Sequence, residues 1–174
     1  QMLDIVERIN MARPCTLKIA GRFEDADLQR KAKDHPGWQY VDYVGMVSHA
    51  ESLSLIRDAD IGLALLMSVA DYPTSSITKL YEYMKFGIPF VASDFPAWRV
   101  ACARGVPGIY VDPQSPDEPL EAIIRLLEDP DLRRSMGEIG AEYIANEFNW
   151  NKYATPFLEI IAAAQNRVSP ARLV

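Results

Sequence analysis

The sequence predicts a doubly wound, three-layer α/β/α domain in which helices cover both faces of a parallel β-sheet. Short strand-like runs alternate with amphipathic helical runs along the 174 residues, and this alternation is typical of βαβ units. The run at 60–66 is apolar almost throughout, as expected of a central strand covered on both faces. The length suits a single domain, residues 1–174, that is large enough to bury a core.

The predicted elements follow one another with short connections. They are, in chain order, a helix at 2–11, a strand at 16–21, a helix at 24–33, a strand at 40–45, a helix beginning at 48, a strand at 60–66, a helix at 77–86, a strand at 89–93, a helix at 97–103, a strand at 108–111 and helices at 119–127, 131–148 and 151–166. Ligands of such sheets bind beyond the carboxyl ends of the strands. The loops that follow Gly21, Gly45, Leu66 and Ser93 are therefore the candidate site.

Local signals justify the boundaries of these elements. Apolar side chains at 2, 5, 6 and 9 have the spacing of a helix with one buried face, and Pro14 lies beyond its end. Ser48 and Glu51 have the spacing of a capping box, which predicts that a helix begins there. Trp98 and Trp150 are expected to be packing anchors, because large aromatic side chains dominate cores.

Composition excludes several classes of function. The net charge of −6 argues against a nucleic-acid surface, which needs cationic side chains. No apolar run approaches the ~20 residues of a membrane span. Cys15 and Cys102 have neither the spacing of a metal site nor the density of a disulfide framework. We expect both to be buried, reduced thiols, which is consistent with a cytoplasmic protein.

Residues 73–93 are the most informative segment. A small polar loop leads into a short helix that carries Lys79 and Glu82, and a Gly-x-Pro break then leads into a buried strand. Free N–H groups at such a helix start favour a phosphate-bearing ligand. Two ordinary explanations remain open. The polar loop could simply cap the helix, and Glu82 could pair with Lys79 one turn earlier for about 0.2–0.5 kcal/mol.

This segment and its flanks resemble a known family. The runs that carry the resemblance are 17–21, 44–47, 55–64, 79–84, 87–94 and 126–137, with 148–150 opening the last helix. Together they resemble the C-terminal, donor-binding domain of a GT-B fold glycosyltransferase of the large group 1 family. The resemblance covers nearly the whole chain and implies that it is one Rossmann-like half of a GT-B fold.

The resemblance implies an activity and a substrate class. A glycosyltransferase of this kind moves a sugar from a nucleoside-diphosphate-sugar donor to an acceptor hydroxyl, without a metal or other cofactor, in polysaccharide or glycoconjugate biosynthesis. In this family the carboxylate that matches Glu82 accepts hydrogen bonds from the ribose hydroxyls. Lys79 is the candidate catalytic residue, because a basic residue nearby neutralises the charge that develops on the departing diphosphate.

The resemblance also implies where the rest of the donor binds. The turn before the helix would present backbone N–H groups to the diphosphate, and the residues after the second strand would flank the base. The residues of the turn are Ser75, Ser76 and Ile77, and those that flank the base are Gly45, Met46 and Val47; Thr74 is a further candidate donor-binding residue. Thr74 stands where many members carry a second glutamate that contacts the donor sugar. The identity of the sugar is therefore left open.

The resemblance implies that parts of the enzyme lie outside this sequence. The family's donor domain opens with a central strand, whereas this sequence starts in a helical pattern. We expect a gap in the sheet that is filled by a neighbouring chain or by further residues of the polypeptide. The N-terminal acceptor domain would be a partner in the full-length enzyme, and the isolated chain is expected to be inactive. Peripheral membrane association of the full enzyme and the identity of the acceptor are left open.

Two alternative functions are kept. A nucleotide-sugar epimerase has the same architecture but needs acid/base side chains at the cleft, and His35 and His49 are poorly placed for that role. A non-catalytic nucleotide-binding α/β module is the other alternative. A receiver-like module would combine clustered acidic residues after the first strand with a switchable Ser/Thr–Lys pair, and we do not find this combination in the sequence.

Overall fold

The computed structural model describes residues 1–69, 71–101 and 106–167. Helices and strands alternate through these residues, and the bounds of each element follow. The helices are α1 (Met2–Asn10), α2 (Ala26–Lys33), α3 (His49–Arg57), α4 (Thr78–Lys85), α5 (Pro96–Ala101), α6 (Glu118–Glu128), α7 (Pro130–Asn146) and α8 (Trp150–Arg167), with a 3-10 helix at Pro36–Tyr40. The strands are β1 (Leu17–Ala20), β2 (Val41–Gly45), β3 (Gly62–Ala64), β4 (Phe90–Ser93) and β5 (Gly108–Val111).

The strands form two parallel sheets. β1 pairs with β2 in one sheet, and the order β3-β4-β5 makes up the other. Every strand pair among the described residues is parallel, so the predicted parallel α/β class is confirmed. Within the described part of the chain, no strand hydrogen-bonds to both β1 and β3, so the two sheets are not joined.

Two hydrophobic clusters cover opposite faces of the larger sheet. β4 is buried at all four residues, and its side chains alternate between the two clusters. Val91 packs with Ile5 and Ile9 of α1 and with residues of α6. Phe90 and Ala92 instead pack with α4 and α5. Helices therefore lie on both faces of the strands, which gives the predicted three layers.

Glycines let α4 and α7 approach closely. Gly87, which ends α4, has φ +67 and so adopts a left-handed conformation that favours glycine. A Cβ atom added to Gly137 of α7 would lie 2.1 Å from the carbonyl oxygen of Gly87. A Cβ atom on Gly140 would lie 3.0 Å from the side chain of Met84. The Gly-x-Pro break therefore ends α4 and also forms the contact surface for α7.

Several boundaries and one packing prediction were wrong. β3 spans only 62–64 rather than 60–66, and α4 begins at Thr78 rather than Ile77. The 3-10 helix was missed, although His35 marks its start by accepting a hydrogen bond from the Gly37 N–H. Trp98 is an anchor with 1% of its surface exposed, but Trp150 is 74% exposed. Trp150 is the first residue of α8, and its apolar side chain is left largely open to solvent.

The cysteine prediction is tested at one position. Cys15 is a free, half-buried thiol, and its backbone N–H donates to Asn10 Oδ1 at 3.0 Å. Burial raises the pKa of the Cys15 thiol. Cys102 lies outside the described residues.

Candidate functional site

A slot separates the two sheets. Its cavity volume is about 770 Å³, and its walls include the length of β1 and Leu63 of β3. α1 and α6 close one side, and α3 and α4 close the other. Lys79, Glu82 and Tyr83 of α4 contribute to this wall. We refer to this cavity as the β1–β3 slot.

The loop between β3 and α4 is fixed at both of its ends. The Ser93 hydroxyl at the end of β4 accepts a hydrogen bond from the Leu66 N–H at 2.8 Å and donates one to the Leu66 carbonyl at 2.7 Å. Trp98 Nε1 donates to the Ser75 carbonyl at 3.0 Å. Because Ser93 and Trp98 are both buried, these bonds hold the loop against the carboxyl end of β4.

The start of α4 has no side-chain cap. Ile77 is the N-cap residue in an extended conformation, and no side chain there accepts from the helix. The Thr74 and Ser75 hydroxyls instead donate to the carbonyls of Asp71 and Tyr72. Of the two interpretations left open for the polar loop, side-chain capping of the helix is therefore not formed. The first N–H groups of α4 keep their capacity to bind an anion.

One predicted anion donor is already occupied in this structure. The Ser75 N–H donates to the Asp71 carbonyl at 2.9 Å, and the Thr74 N–H donates to the same oxygen at 3.0 Å. The turn at 71–75 uses these two donors internally, so Ser75 does not present the free N–H that the sequence predicted. Ser76 and Ile77 follow the turn and lead directly into α4.

Lys79 and Glu82 lie together on the wall of the slot without neutralising each other. Lys79 is exposed and Glu82 is half-buried. Neither side chain makes a hydrogen bond or an ion pair with another described residue. The ordinary pairing of Glu82 with Lys79 is therefore not formed. A carboxylate without a partner in a half-buried position can accept hydrogen bonds from a ligand.

The buried neighbour of Glu82 is bonded to the edge of β3. The Tyr83 hydroxyl donates to the Leu63 carbonyl at 3.0 Å. Burial raises the pKa of Tyr83 to about 12, and the charge of Glu82 acts in the same direction. Tyr83 therefore stays neutral and fixes this face of α4 against β3. Tyr83 was not among the predicted site residues, although it lies on the helix turn that carries Glu82.

The candidate base-binding residues lie at the end of β2. Gly45 has φ +69, and its carbonyl accepts from the Gly21 N–H at 2.7 Å, which ties the ends of β1 and β2 together. Met46 is 72% exposed, and Val47 is half-buried. These residues and 74–77 are not part of the wall of the slot, whereas Lys79 and Glu82 are.

The described residues contain neither a metal-binding cluster nor a membrane-spanning helix. No group of three His, Cys, Asp or Glu side chains within 1–69, 71–101 and 106–167 could hold a metal ion. None of the helices in that part of the chain has the length and apolar character to cross a membrane.

The sequence matches a known protein family. The sequence profile of the family described as Glycosyl transferases group 1 matches residues 1–143. A phosphatidyl-myo-inositol mannosyltransferase of Mycolicibacterium smegmatis is 28% identical over 142 residues, which are 82% of this chain and 35% of that protein. The matched part of the chain spans between 23% and 37% of the length of the curated relatives that it resembles.

Solved structures share the fold at low sequence identity. The chain superposes on Anabaena HepE, solved in complex with UDP, with a TM-score of 0.74 and 16% identity over 94% of this chain and 45% of that one. It also superposes on the C-terminal domain of LpcC, a group 1 family protein of Francisella tularensis, with a TM-score of 0.67 and 17% identity over 86% of this chain and 78% of that one. These neighbours show that the fold is that of a GT-B glycosyltransferase domain.

Proposed function

Because the chain belongs to the group 1 glycosyltransferase family, we propose that it binds the donor of an enzyme that transfers sugar from a nucleoside-diphosphate sugar to an acceptor hydroxyl. The observation that carries this proposal is the position of Glu82 and the absence of a hydrogen-bond partner for its carboxylate among the described residues. Its carboxylate is half-buried on the slot wall, has no hydrogen-bond partner among the described residues, and lies one turn beyond an uncapped helix start.

Glu82 is proposed to hold the ribose. An ionised carboxylate accepts hydrogen bonds only, and vicinal ribose hydroxyls can donate two of them. Hydrogen bonds to a charged group contribute about 1.5–3 kcal/mol each. The exposed glutamates of this acidic chain would bind a hydroxyl less well, since water competes for them more effectively than for a half-buried one.

The start of α4 is proposed to hold the diphosphate. Its uncapped N–H groups and the positive end of the helix dipole favour an anion there. Lys79 lies in the first turn of α4 and forms no ion pair with another described residue, so its charge is available to the leaving diphosphate. Stabilising the charge that develops on the leaving group lowers the barrier to sugar transfer. Lys79 is therefore the proposed catalytic residue of this chain.

Residues on either side of α4 are proposed to complete the donor site. Thr74 and Ser76 would face the sugar and the phosphates, and Ile77 would donate its N–H at the helix start. Gly45, Met46 and Val47 would flank the base at the end of β2. The UDP bound to HepE, which shares this fold, supports a nucleoside diphosphate as the ligand.

The activity of the whole enzyme is a wider proposal. We infer that a separate acceptor-binding domain completes the active site, because the chain spans only 35% of the M. smegmatis mannosyltransferase that it resembles. That relative acts on phosphatidyl-myo-inositol, which supports a role in glycoconjugate or polysaccharide assembly. We place the enzyme in the cytoplasm, where nucleotide sugars are the available donors, and assign it no metal cofactor.

Titration with nucleotides tests the donor site. We expect UDP, GDP or ADP to bind the 174-residue chain in calorimetry, and Glu82→Ala to weaken that binding about tenfold or more, since hydrogen bonds to a charged group are lost. Glu142→Ala is the matched control, because Glu142 is exposed on α7. Equal affinities for Glu82→Ala and Glu142→Ala would show that the assignment is wrong, as would a folded chain that binds none of the three nucleotides.

A further inference from the structure

Trp98 lies in the core and forms a hydrogen bond to the loop before α4. Only 1% of its surface is exposed, and its ring packs edge-to-face on Phe95 with the ring centroids 4.8 Å apart. Its backbone carbonyl accepts a hydrogen bond from the Tyr110 hydroxyl at 3.1 Å. The ring and the backbone of Trp98 are therefore both held in place, and the indole Nε1–H group donates to the Ser75 carbonyl at 3.0 Å.

This bond fixes the orientation of the peptide group that joins Ser75 and Ser76. The carbonyl of Ser75 and the N–H of Ser76 belong to the same planar group, and the described residues contain no cis peptide bond. In a planar trans peptide the C=O and the N–H point in opposite directions. Since the Ser75 carbonyl points towards the buried indole, the Ser76 N–H points away from the core.

The Ser76 N–H is the donor that this arrangement leaves available to a ligand. No described residue accepts a hydrogen bond from it, whereas the Thr74 and Ser75 N–H groups are both used by the Asp71 carbonyl. Ser76 is exposed, and it lies two residues before the first residue of α4, where the helix dipole favours an anion. An unused N–H group is thus aimed outwards beside the uncapped helix start.

We propose that Trp98 is a positioning residue of the donor site: its indole N–H holds the Ser75 carbonyl and thereby aims the Ser76 N–H at the diphosphate of the donor. Because Trp98 is buried, it acts through this peptide group and does not contact the ligand. The inference rests on the proposed donor site and adds a core residue that directs one of its donors. A hydrogen bond to a phosphate oxygen depends on direction, so it weakens when the peptide group can rotate.

The ordinary explanation of the bond is that a buried indole N–H needs an acceptor. That explanation and the proposal predict different results for ligand binding. If the bond only satisfies Trp98, its loss destabilises the fold and leaves the affinity of the folded chain for ligands unchanged. If the bond aims the Ser76 N–H, its loss weakens the binding of ligands that carry phosphate and leaves the binding of a nucleoside unchanged.

Nuclear magnetic resonance can observe this peptide group by itself, because Ser75 and Ser76 are the only two consecutive serines in the sequence. In a chain with carbon-13 at its serine carbonyls and nitrogen-15 at its serine amides, a carbonyl-to-amide correlation spectrum contains one peak, from the Ser75 carbonyl and the Ser76 N–H. We expect UDP and inorganic pyrophosphate to shift the amide frequencies of this peak, as the N–H bonds to a phosphate oxygen. Uridine should leave the peak unchanged.

An isosteric replacement removes the indole donor and keeps the ring. Benzothienylalanine in place of Trp98 has sulfur where the indole has its N–H group, and its shape is nearly the same. We expect the carbonyl frequency of the single peak to change as the bond to Ser75 is lost, and UDP binding in calorimetry to weaken about three- to tenfold. The same replacement at Trp150, which is 74% exposed, is the matched control and should change neither. Trp98→Phe also lacks the donor and should weaken UDP binding in the same way.

The titration of the unmodified chain decides the question even if neither replaced chain folds. A Ser76 peak that no phosphate-bearing ligand shifts would overturn the inference, as would a folded benzothienylalanine chain that binds UDP as tightly as the unmodified one. The donor site can stand in both cases, if UDP binds and Glu82→Ala weakens that binding. If pyrophosphate shifts the peak while Glu82→Ala has no effect on UDP, the inference stands and the ribose assignment is wrong.

Discussion

At the scale of single residues, Glu82 and Tyr83 are neighbours with opposite surroundings. Glu82 is half-buried and has no bonding partner among the described residues, whereas Tyr83 is buried and bonded to Leu63. The Tyr83 ring also packs on the backbone of β3, since a Cβ atom on Gly62 would lie 2.5 Å from it. The side chain that is fixed therefore positions the one that is proposed to bind ligand.

Tyr83 should make the protein sensitive to alkaline pH. Its pKa of about 12 in the folded state lies above the 10.0 of an exposed tyrosine, so the unfolded chain loses this proton first. The stabilisation is complete below pH 10 and declines by about 1.4 kcal/mol per pH unit between pH 10 and 12. Urea unfolding at several pH values would measure this slope.

Two phenylalanine variants separate this effect from other alkaline titrations. Tyr83→Phe should be less stable at neutral pH and should lose the extra slope above pH 10. Tyr153→Phe should retain it, because Tyr153 is exposed on α8. If wild type and Tyr83→Phe lose stability in parallel above pH 10, Tyr83 is not held neutral by the fold.

The residue types in the sequence predicted which groups could bind a ligand. They did not predict which of these groups would already be used in internal hydrogen bonds. The position of Glu82 on α4 follows from the spacing of the segment around it. The internal bonds of the 71–75 turn do not, because they depend on how Asp71 is placed by the fixed loop. The exposure of Trp150 was missed for a similar reason, since an apolar residue is buried only where another element covers it.

At the scale of elements, the contact between α4 and α7 depends on the absence of side-chain atoms. The two helices meet where Gly137 faces the carbonyl of Gly87 and where Gly140 faces Met84. No sequence pattern of a single helix predicts this contact, because glycine in the middle of a helix is unfavourable by itself. The glycines in α7 are explained only by the neighbouring helix.

Gly137→Ala should therefore destabilise the protein, against the usual helix preference. Alanine is favoured over glycine in a helix by about 1 kcal/mol. Here the added Cβ atom would overlap the Gly87 carbonyl, and overpacking of this kind costs about 1–3 kcal/mol. We expect a lower midpoint of urea unfolding. Ser135→Ala on the exposed side of α7 is the control and should be neutral or stabilising. A Gly137→Ala protein as stable as this control would contradict the close approach.

The order and type of the elements were predictable, and their lengths were less so. Alternating patterns and the Ser48 capping box predicted α3 and the parallel strands correctly. The shorter β3 was not predictable, because strand length depends on pairing and, among the described strands, only β4 pairs with it. The 3-10 helix at Pro36–Tyr40 is held largely by contacts with α1, which lies far from it in sequence.

At the scale of the whole molecule, the chain has the proposed donor-binding groups but no assigned acceptor-binding groups. It matches the family profile over 1–143 and spans about a third of the curated relatives. Sugar transfer requires an acceptor hydroxyl held close to the donor sugar, and this proximity can lower the barrier by about 7–11 kcal/mol. This chain by itself should therefore bind the donor nucleotide without transferring sugar.

We expect the isolated chain to bind a nucleoside diphosphate and to transfer no sugar. Incubation with UDP-glucose and a coupled assay for released UDP would measure this, with the Glu82→Ala chain as the matched control. The rate of UDP release should equal that of buffer for both chains. Release above the buffer rate by the wild-type chain, abolished by Glu82→Ala, would show that the chain is catalytic without a second domain.

The break between the two sheets also affects how the molecule opens. Because no strand hydrogen bonds cross from β1 to β3 in the described residues, the 17–45 region packs on the rest of the protein chiefly where the Pro36–Tyr40 helix meets α1. Regions with few shared contacts open at lower free energy than the rest of a protein. The β1–β2 unit should thus behave as a separate cooperative unit that detaches while β3, β4 and β5 stay folded, and the proposed base-binding residues 45–47 would move with it.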